Sequence, residues 1–232
     1  AEKPVLENIT FKAKPGETTA IIGSTGAGKT TVLQLIPRFF DIEKGSVLVN
    51  GTDVKKMAQK ELRAKIGYVP QKASIFSGTI KDNIRFGKED ATDEEILEAL
   101  ETAQAAEFVE GKENGIESDI EQAGANLSGG QKQRLSIARA LVRKPEIYLF
   151  DDSFSALDYK TDQKLRKALK KTTADAAVII VAQRVSTITD ADQIIVLNEG
   201  KIAGIGTHQQ LLAENDIYQE IVASQQAEEE SA

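Results

Sequence analysis

"GSTGAGKT", Gly23–Thr30, matches the pattern G-x-x-x-x-G-K-[ST] at every fixed position. It follows the β-branched run "TTAII" (18–22) and opens into "GKTTVLQLIPRF", a helical pattern. Strand, glycine loop and helix in that order are the context in which such a loop holds phosphate. The glycines let the backbone wrap inward so that successive N–H groups converge on one anion, and the helix start adds the positive end of its dipole. Gly23, Ser24, Thr25, Gly26, Ala27 and Gly28 form the cradle, and Thr31 extends it into the helix. Lys29 can reach the β- and γ-phosphates of a nucleotide, and the Thr30 hydroxyl can ligate Mg²⁺.

Outward from the loop, short apolar runs alternate with helical patterns: "SVLV" (46–49), "IGYV" (66–69), "EIYLF" (146–150), "AVIIVA" (177–182) and "QIIVL" (193–197). Strands interleaved with helices predict an α/β domain with a largely parallel sheet. "IYLF" runs into Asp151, and a carboxylate at the carboxyl end of a core strand is where such folds bind Mg²⁺. An ordinary strand-end acid is the alternative. From about Thr79 to Val142 no strand is predicted. "TDEEILEALETAQAAEFV" reads as one amphipathic helix with Thr92 as N-cap, and "SGGQKQRLSIARALVRK" as another. Either a helical layer covers the sheet, or a helical subdomain is inserted into the core. The second gives a single domain over 1–232, with a core of 1–71 and 146–232 and a helical subdomain at about 72–145.

Composition narrows the function classes. The 232 residues carry a net charge of −7 with no concentrated basic stretch, which argues against nucleic acid as the partner. There is no cysteine, which excludes disulfides and thiolate metal sites. A single histidine argues against a His-based zinc site. No apolar run approaches the roughly 18 residues that span a bilayer, and no secretory signal opens the sequence, so an intracellular compartment is expected. The acidic tail "QQAEEESA" is expected to fray.

"LSGGQKQRLSIARAL" (127–141) resembles the signature motif of ATP-binding cassette (ABC) proteins. Around it "YVPQ" (68–71) resembles the family's Q-loop and "SALD" (155–158) its D-loop, all in family order after the phosphate loop, or Walker A motif. The resemblance covers essentially the whole chain. It implies a P-loop NTPase core with a mostly parallel sheet and an inserted helical subdomain, binding ATP and Mg²⁺. Two such domains would close head to tail around ATP, the phosphate loop of one facing Ser128, Gly129, Gly130 and Gln131 of the other. Ser128 and the two glycines open a helix, so free N–H groups can meet a γ-phosphate; an N-cap role for Ser128 is compatible with this. By the same resemblance Gln71 ligates Mg²⁺ and contacts the γ-phosphate. Asp158 would lie at the dimer seam, and a helix N-cap accounts for it equally well. "IFSGTIKDNIRFG" (75–87) looks like the segment of exporter-type cassettes. It implies a transmembrane domain as partner, a place on the cytoplasmic face of the membrane reached only through that partner, and solubility for the isolated domain.

Three positions depart from the family pattern. Asp152 stands where active members carry the Glu that polarises the attacking water, one methylene shorter, and a general base must come within hydrogen-bond reach of its water. Gln183 stands where the family has a switch histidine; it can donate a hydrogen bond but has no titratable proton. His208, in "GTHQQLL", cannot fill that role and is expected at the surface. Glu121–Gln122 replace the usual Gly–Glu before the signature, which concerns coupling to the membrane domain. Together Asp152 and Gln183 resemble the degenerate subunit of a heterodimeric exporter, which binds ATP with little turnover and lends an intact signature to a different partner chain.

The family stacks adenine on an aromatic upstream of the first core strand. The earliest aromatic here is Phe11, expected on a strand past that position, so reduced nucleotide affinity and weak adenine selectivity are expected. Two function classes stay open: a transport-coupled ATPase with low activity in its own site, and an ATP-gated dimerisation module without useful hydrolysis. A DNA-repair or chromosome-structure ATPase would need a long coiled-coil insertion. About 98 residues separate Lys29 from Ser128, without a heptad run.

Overall fold

A computed structural model describes residues 5–230. In chain order the elements are β1 (Thr18–Ile22), α1 (Lys29–Leu35), β2 (Leu48–Val49), β3 (Thr52–Asp53), α2 (Gln59–Ala64), β4 (Ile66–Val69), β5 (Gly78–Thr79), α3 (Ile80–Arg85), α4 (Asp93–Thr102), α5 (Ala106–Glu110), β6 (Asp119–Ile120), α6 (Gly129–Leu141), β7 (Ile147–Asp151), α7 (Tyr159–Thr172), β8 (Ala177–Val181), β9 (Gln193–Asn198), β10 (Lys201–Gly206), α8 (His208–Glu214) and α9 (Asp216–Glu230).

Six strands form the main sheet in the order β10-β9-β1-β8-β7-β4. All neighbours run parallel except β10, which is antiparallel to β9. The fold is therefore α/β with a mostly parallel sheet, as the alternating runs predict. Strand side chains alternate between two apolar layers, which is the two-residue period of a sheet covered on both faces. Ala20, Ile22, Tyr148, Phe150, Val178 and Ile180 pack with the helices of the 80–141 stretch. Ile21, Leu149, Ile179 and Val181 pack against Val32 and Leu33 of α1 and Leu62 of α2.

Several local expectations change. "SVLV" contributes only Leu48–Val49, and it pairs with β3 in a hairpin separate from the main sheet. The cause is Asn50–Gly51 at φ 50° and 78°, the left-handed pair that two-residue hairpins require. The helix expected through Val109 stops at Thr102. Gln104 takes φ 59°, its N–H reaches Glu101 O at 3.0 Å, and Ala105 N–H reaches Leu100 O at 2.8 Å. That is a Schellman close without its usual glycine. Within 79–142 the two-residue strands β5 and β6 pair with each other. β10 has no counterpart in the sequence reading: "KIAGIG" carries two glycines, and its ladder slips between Ile202 and Gly204, which an edge strand tolerates. Phe11 lies in an irregular segment packed against the α1 layer, not on a strand. The acidic tail does not fray at Gln225, because α9 continues to Glu230; Ser231 and Ala232 lie outside the described residues. His208 is half-buried, its Nδ1 2.8 Å from the Tyr218 hydroxyl, so burial of Tyr218 draws it inward from the surface position expected.

Candidate functional site

Four parallel strands end along one edge of the sheet. The register sets Val69 beside Phe150, Asp151 beside Val181, and Ile21 beside Val181. The residues that follow are therefore delivered side by side: Gly23 after β1, Gln183 after β8, Asp152 after β7 and Gln71 after β4. A crevice at the carboxyl ends of such strands is where open α/β sheets bind ligands.

The loop after β1 must be glycine at its ends. A Cβ on Gly23 would collide with the Leu197 carbonyl of β9. Gly28 sits at φ 99°, and a Cβ there would lie 2.6 Å from Leu6 Cδ2. α1 then begins at Lys29 with no side chain capping it and no acid in its first turn. The Lys29 ammonium folds across the loop, donating to Gly23 O at 2.7 Å and Ser24 O at 2.8 Å. Burial pushes its pKa down, and Asp152 and Asp151 pull it back up. Thr30 Oγ1 donates to Asp151 Oδ1 at 2.9 Å, and the Tyr68 hydroxyl donates to Asp151 Oδ2 at 3.3 Å. Asp151 is only 3% exposed. Burial pushes its pKa up from the ordinary carboxylate value, against the pull of the two hydroxyls.

Asp152 is 7% exposed and leaves the strand at φ 48°, while its N–H still reaches Val181 O at 2.9 Å. The left-handed turn swings its carboxylate off the ladder and toward the two neighbouring strand ends. There Oδ2 accepts from Gln71 Nε2 at 3.2 Å and from Gln183 Nε2 at 2.8 Å. Burial pushes the Asp152 carboxyl up as well, opposed by hydrogen bonding. Thus Lys29, Thr30 and Asp151 form one cluster, and Gln71, Asp152 and Gln183 a second directly beside it.

Ser128–Gln131 stand apart from both; no hydrogen bond among the described residues joins them to the phosphate loop. Ser128 caps α6 in a reciprocal box: its Oγ accepts from Gln131 N at 3.2 Å, and Gln131 Oε1 accepts from Ser128 N at 3.0 Å. The Ser128 O–H remains available to donate. Ser128 and Gly129 are exposed, and nothing lies within 4 Å of a Cβ built on Gly129. A Cβ on Gly130 would meet Ala156 O at 3.4 Å, so the α6 start sits beside the loop that carries Asp158. Asp158 caps α7, accepting from Thr161 N at 2.9 Å.

The sequence reading missed three supports. Tyr68 holds Asp151, and its place in "YVPQ" was the available signal. Gln133, buried on α6, donates to Pro70 O at 3.3 Å and ties α6 to the turn before Gln71. Gln225, on α9, bonds the turn that carries Gln183; nothing local in the sequence marks it.

Among the described residues no group of three or more His, Cys, Asp or Glu side chains could by itself hold a metal ion. The donors at Thr30 and Asp151 do suit Mg²⁺, which is usually held by one or two protein oxygens with phosphate and water completing the shell. Adjacent oxygens on an octahedral ion at 2.0–2.1 Å are about 2.9 Å apart, the separation of Thr30 Oγ1 and Asp151 Oδ1.

Residues 6–155 match the family model described as ABC transporter. An uncharacterized ABC transporter ATP-binding protein of Mycobacterium tuberculosis is 49% identical over 97% of this chain and 39% of its own length. The mitochondrial iron-sulfur clusters transporter ATM1 of Debaryomyces hansenii is 43% identical over 95% of this chain and 32% of its own length. A solved structure, a bacterial Atm1-family ABC exporter with ATP bound, aligns at TM-score 0.92 and 38% identity over 95% of this chain and 39% of that one. The chain thus spans 32–39% of the length of these relatives. It belongs to the ABC transporter family, as an ATP-binding domain with a P-loop NTPase-like α/β fold.

Proposed function

We propose that this chain is the ATP-binding and ATPase domain of an exporter, that it closes head to tail with a second such domain around ATP, and that hydrolysis in its own site is slow. Exporter character is supported by the likeness to the Atm1-family exporter and by the segment 75–87. The proposed architecture is a core of 1–71 and 146–232 with the helices of about 72–145 receiving a transmembrane domain. The assembly would lie at the cytoplasmic face of a membrane; no helix among the described residues is long and apolar enough to cross one.

The phosphate loop residues Gly23–Thr31 would bind the phosphates. The Lys29 ammonium, now held by two loop carbonyls, would exchange those bonds for phosphate oxygens, a charge-assisted and stronger pairing. Thr30, Asp151 and Gln71 would hold Mg²⁺, which when bound neutralises charge developing on the phosphates. Ser128–Gln131 would serve the ATP held by the partner domain.

The observation that carries slow hydrolysis is the pairing of Asp152 Oδ2 with both Gln71 and Gln183. A water placed for attack needs an acceptor within about 2.6–3.2 Å. Here that acceptor is a short carboxylate already held by two amide donors, and Gln183 has no proton to relay. This reading makes the chain the degenerate subunit of a heterodimer, its intact signature serving a different partner chain. ATP hydrolysis measured on this chain alone, and then mixed with a cassette domain carrying Glu and His at these two positions, tests it. Slow hydrolysis alone with stimulation in the mixture supports the reading. Hydrolysis alone as fast as that partner's own defeats it. Nucleotide-driven association with no hydrolysis in the mixture would instead favour an ATP-gated dimerisation module.

A further inference from the structure

The turn that carries Gln183 begins where the sheet stops holding it: the Ala182 N–H bond to Ile21 O, at 3.0 Å, is the last ladder contact of β8. Beyond it, two helices take over. From α7, Arg166 Nη1 donates to Thr187 O at 3.1 Å, with its guanidinium fixed by a two-pronged pairing to Asp162 at 3.1 Å on each arm. From α9, Gln225 uses both ends of its amide. Nε2 donates to Gln183 O at 2.6 Å, and Oε1 accepts from Val185 N at 2.8 Å. Only this orientation of the amide satisfies both partners, since one is a carbonyl and the other an N–H. α9 is itself seated, Ile221 and Val222 packing on the apolar layer that includes Val185 and Ile188.

We infer that Gln225 is a positioning residue for hydrolysis: by fixing the backbone at Gln183 and Val185 it sets where the Gln183 amide stands against Asp152 and against a γ-phosphate. This rests on reading Gln183 as the residue at the switch position, whose amide can still donate to a γ-phosphate and support the slow hydrolysis proposed above although it has no proton to relay. Gln183 has its main chain held by α9 and its side chain held by Asp152. With the main chain pinned, exchange of the amide between Asp152 and a phosphate needs only side-chain rotation. Without Gln225 the C=O of Gln183 and the N–H of Val185 would turn to water, and the amide would lose its fixed origin.

The test uses the full chain. Gln225→Leu keeps the side chain's bulk and removes both bonds. Amide hydrogen exchange at residues 184–187 should accelerate by roughly tenfold or more. ATP affinity should stay within about twofold, while the single-turnover hydrolysis rate falls roughly fivefold, a cost of misplacement and not of binding. Placed on Gln183→Ala, the same change should lower hydrolysis no further. Gln225→Glu, which keeps the acceptor for Val185 and loses the donor to Gln183, should fall between, and it carries the same comparison if Gln225→Leu does not fold. Unchanged hydrolysis in Gln225→Leu, or an equal loss on the Gln183→Ala background, overturns the inference while leaving the role of Gln183 intact. If Gln183→Ala alone hydrolyses ATP like the parent, the role of Gln183 fails, and the inference fails with it.

Discussion

Asp151 ends β7 in register with Val181, and each of its oxygens accepts from a hydroxyl, Thr30 on one side and Tyr68 on the other. Asp152, next in the chain, stands off the ladder at φ 48°, and one of its oxygens accepts from two amides. The two kinds of donor behave differently. A hydroxyl can turn its proton away and offer a lone pair, so Thr30 and Asp151 can together face a cation. An amide N–H can only donate, so Gln71 and Gln183 as they stand keep Oδ2 of Asp152 engaged and leave its other oxygen to accept. One residue apart, the chain has one carboxylate held by two hydroxyls and another held by two amides, and the proposed split between holding ATP and hydrolysing it rests on that difference.

The largest effect that separates the two clusters is on binding. Lys29→Ala removes the charged donor proposed to meet the phosphates, worth about 1.5–3 kcal/mol, so ATP affinity should fall by roughly 10- to 100-fold in equilibrium titration with a fluorescent ATP analogue. Gln183→Ala should leave affinity within about threefold. Equal losses from both changes would mean that the clusters do not divide binding from hydrolysis.

Next in size is conversion of the second cluster to the Glu and His expected from the family pattern. Asp152→Glu with Gln183→His lengthens the proposed base and introduces a titratable proton beside it. A positioned base contributes about 10²–10⁴-fold, so even partial recovery should raise kcat by about tenfold, with KM for ATP little changed. If kcat does not move although folding and ATP binding are intact, the slow step lies outside Asp152 and Gln183.

The sequence makes some of this division legible and hides the rest. Lys29, Thr30 and Asp151 belong to local patterns, a glycine loop between strand and helix and an acid at a strand end, and both patterns hold in the structure. The main strands were readable because two-sided burial leaves nearly unbroken apolar runs. β10 was not, since "KIAGIG" lacks that run. The break at Gln104 was not, since a left-handed glutamine closes α4 where glycine is the usual signal. The pairing of Gln71 and Gln183 on a single oxygen of Asp152 joins three strand ends separated by 81 and 31 residues; no local pattern encodes it. The grip of Gln225 on the turn that carries Gln183 spans 42 residues and lies in a tail whose composition suggested fraying.

A smaller effect concerns stability. Burial holds the folded pKa of Asp152 above the ordinary 3.8, so folding disfavours its charged form. That penalty is fully present above the folded pKa and vanishes as the pH falls below 3.8. Asp152→Asn keeps an oxygen to accept from Gln71 and Gln183 and removes the charge. Without nucleotide it should stabilise the chain by about 1 kcal/mol at neutral pH, the size typical of relieving a functional site, while hydrolysis is lost. Thermal melts should show the gain shrinking as the pH drops through the Asp152 titration. A neutral-pH Tm below that of the parent would show that the carboxylate is stabilised by its two amides more than burial costs it.

The smallest effect separates a cap from a binding residue. Thr92 and Ser128 both close reciprocal capping boxes, on α4 and α6, and losing such a cap costs about 1 kcal/mol. Thr92→Ala and Ser128→Ala should therefore lower stability by similar amounts in denaturant titrations. They should part company with ATP and a partner domain present. The Ser128 hydroxyl accepts within its own helix turn and still has a proton to give, and it sits exposed at the start of α6, whereas Thr92 caps a helix remote from the signature in sequence. Ser128→Ala should weaken ATP-dependent association of the two domains by several-fold, and Thr92→Ala should leave it unchanged once the loss of stability is matched. Equal association for the two variants would reduce Ser128 to a helix cap and remove the intact signature from the division between holding ATP and splitting it.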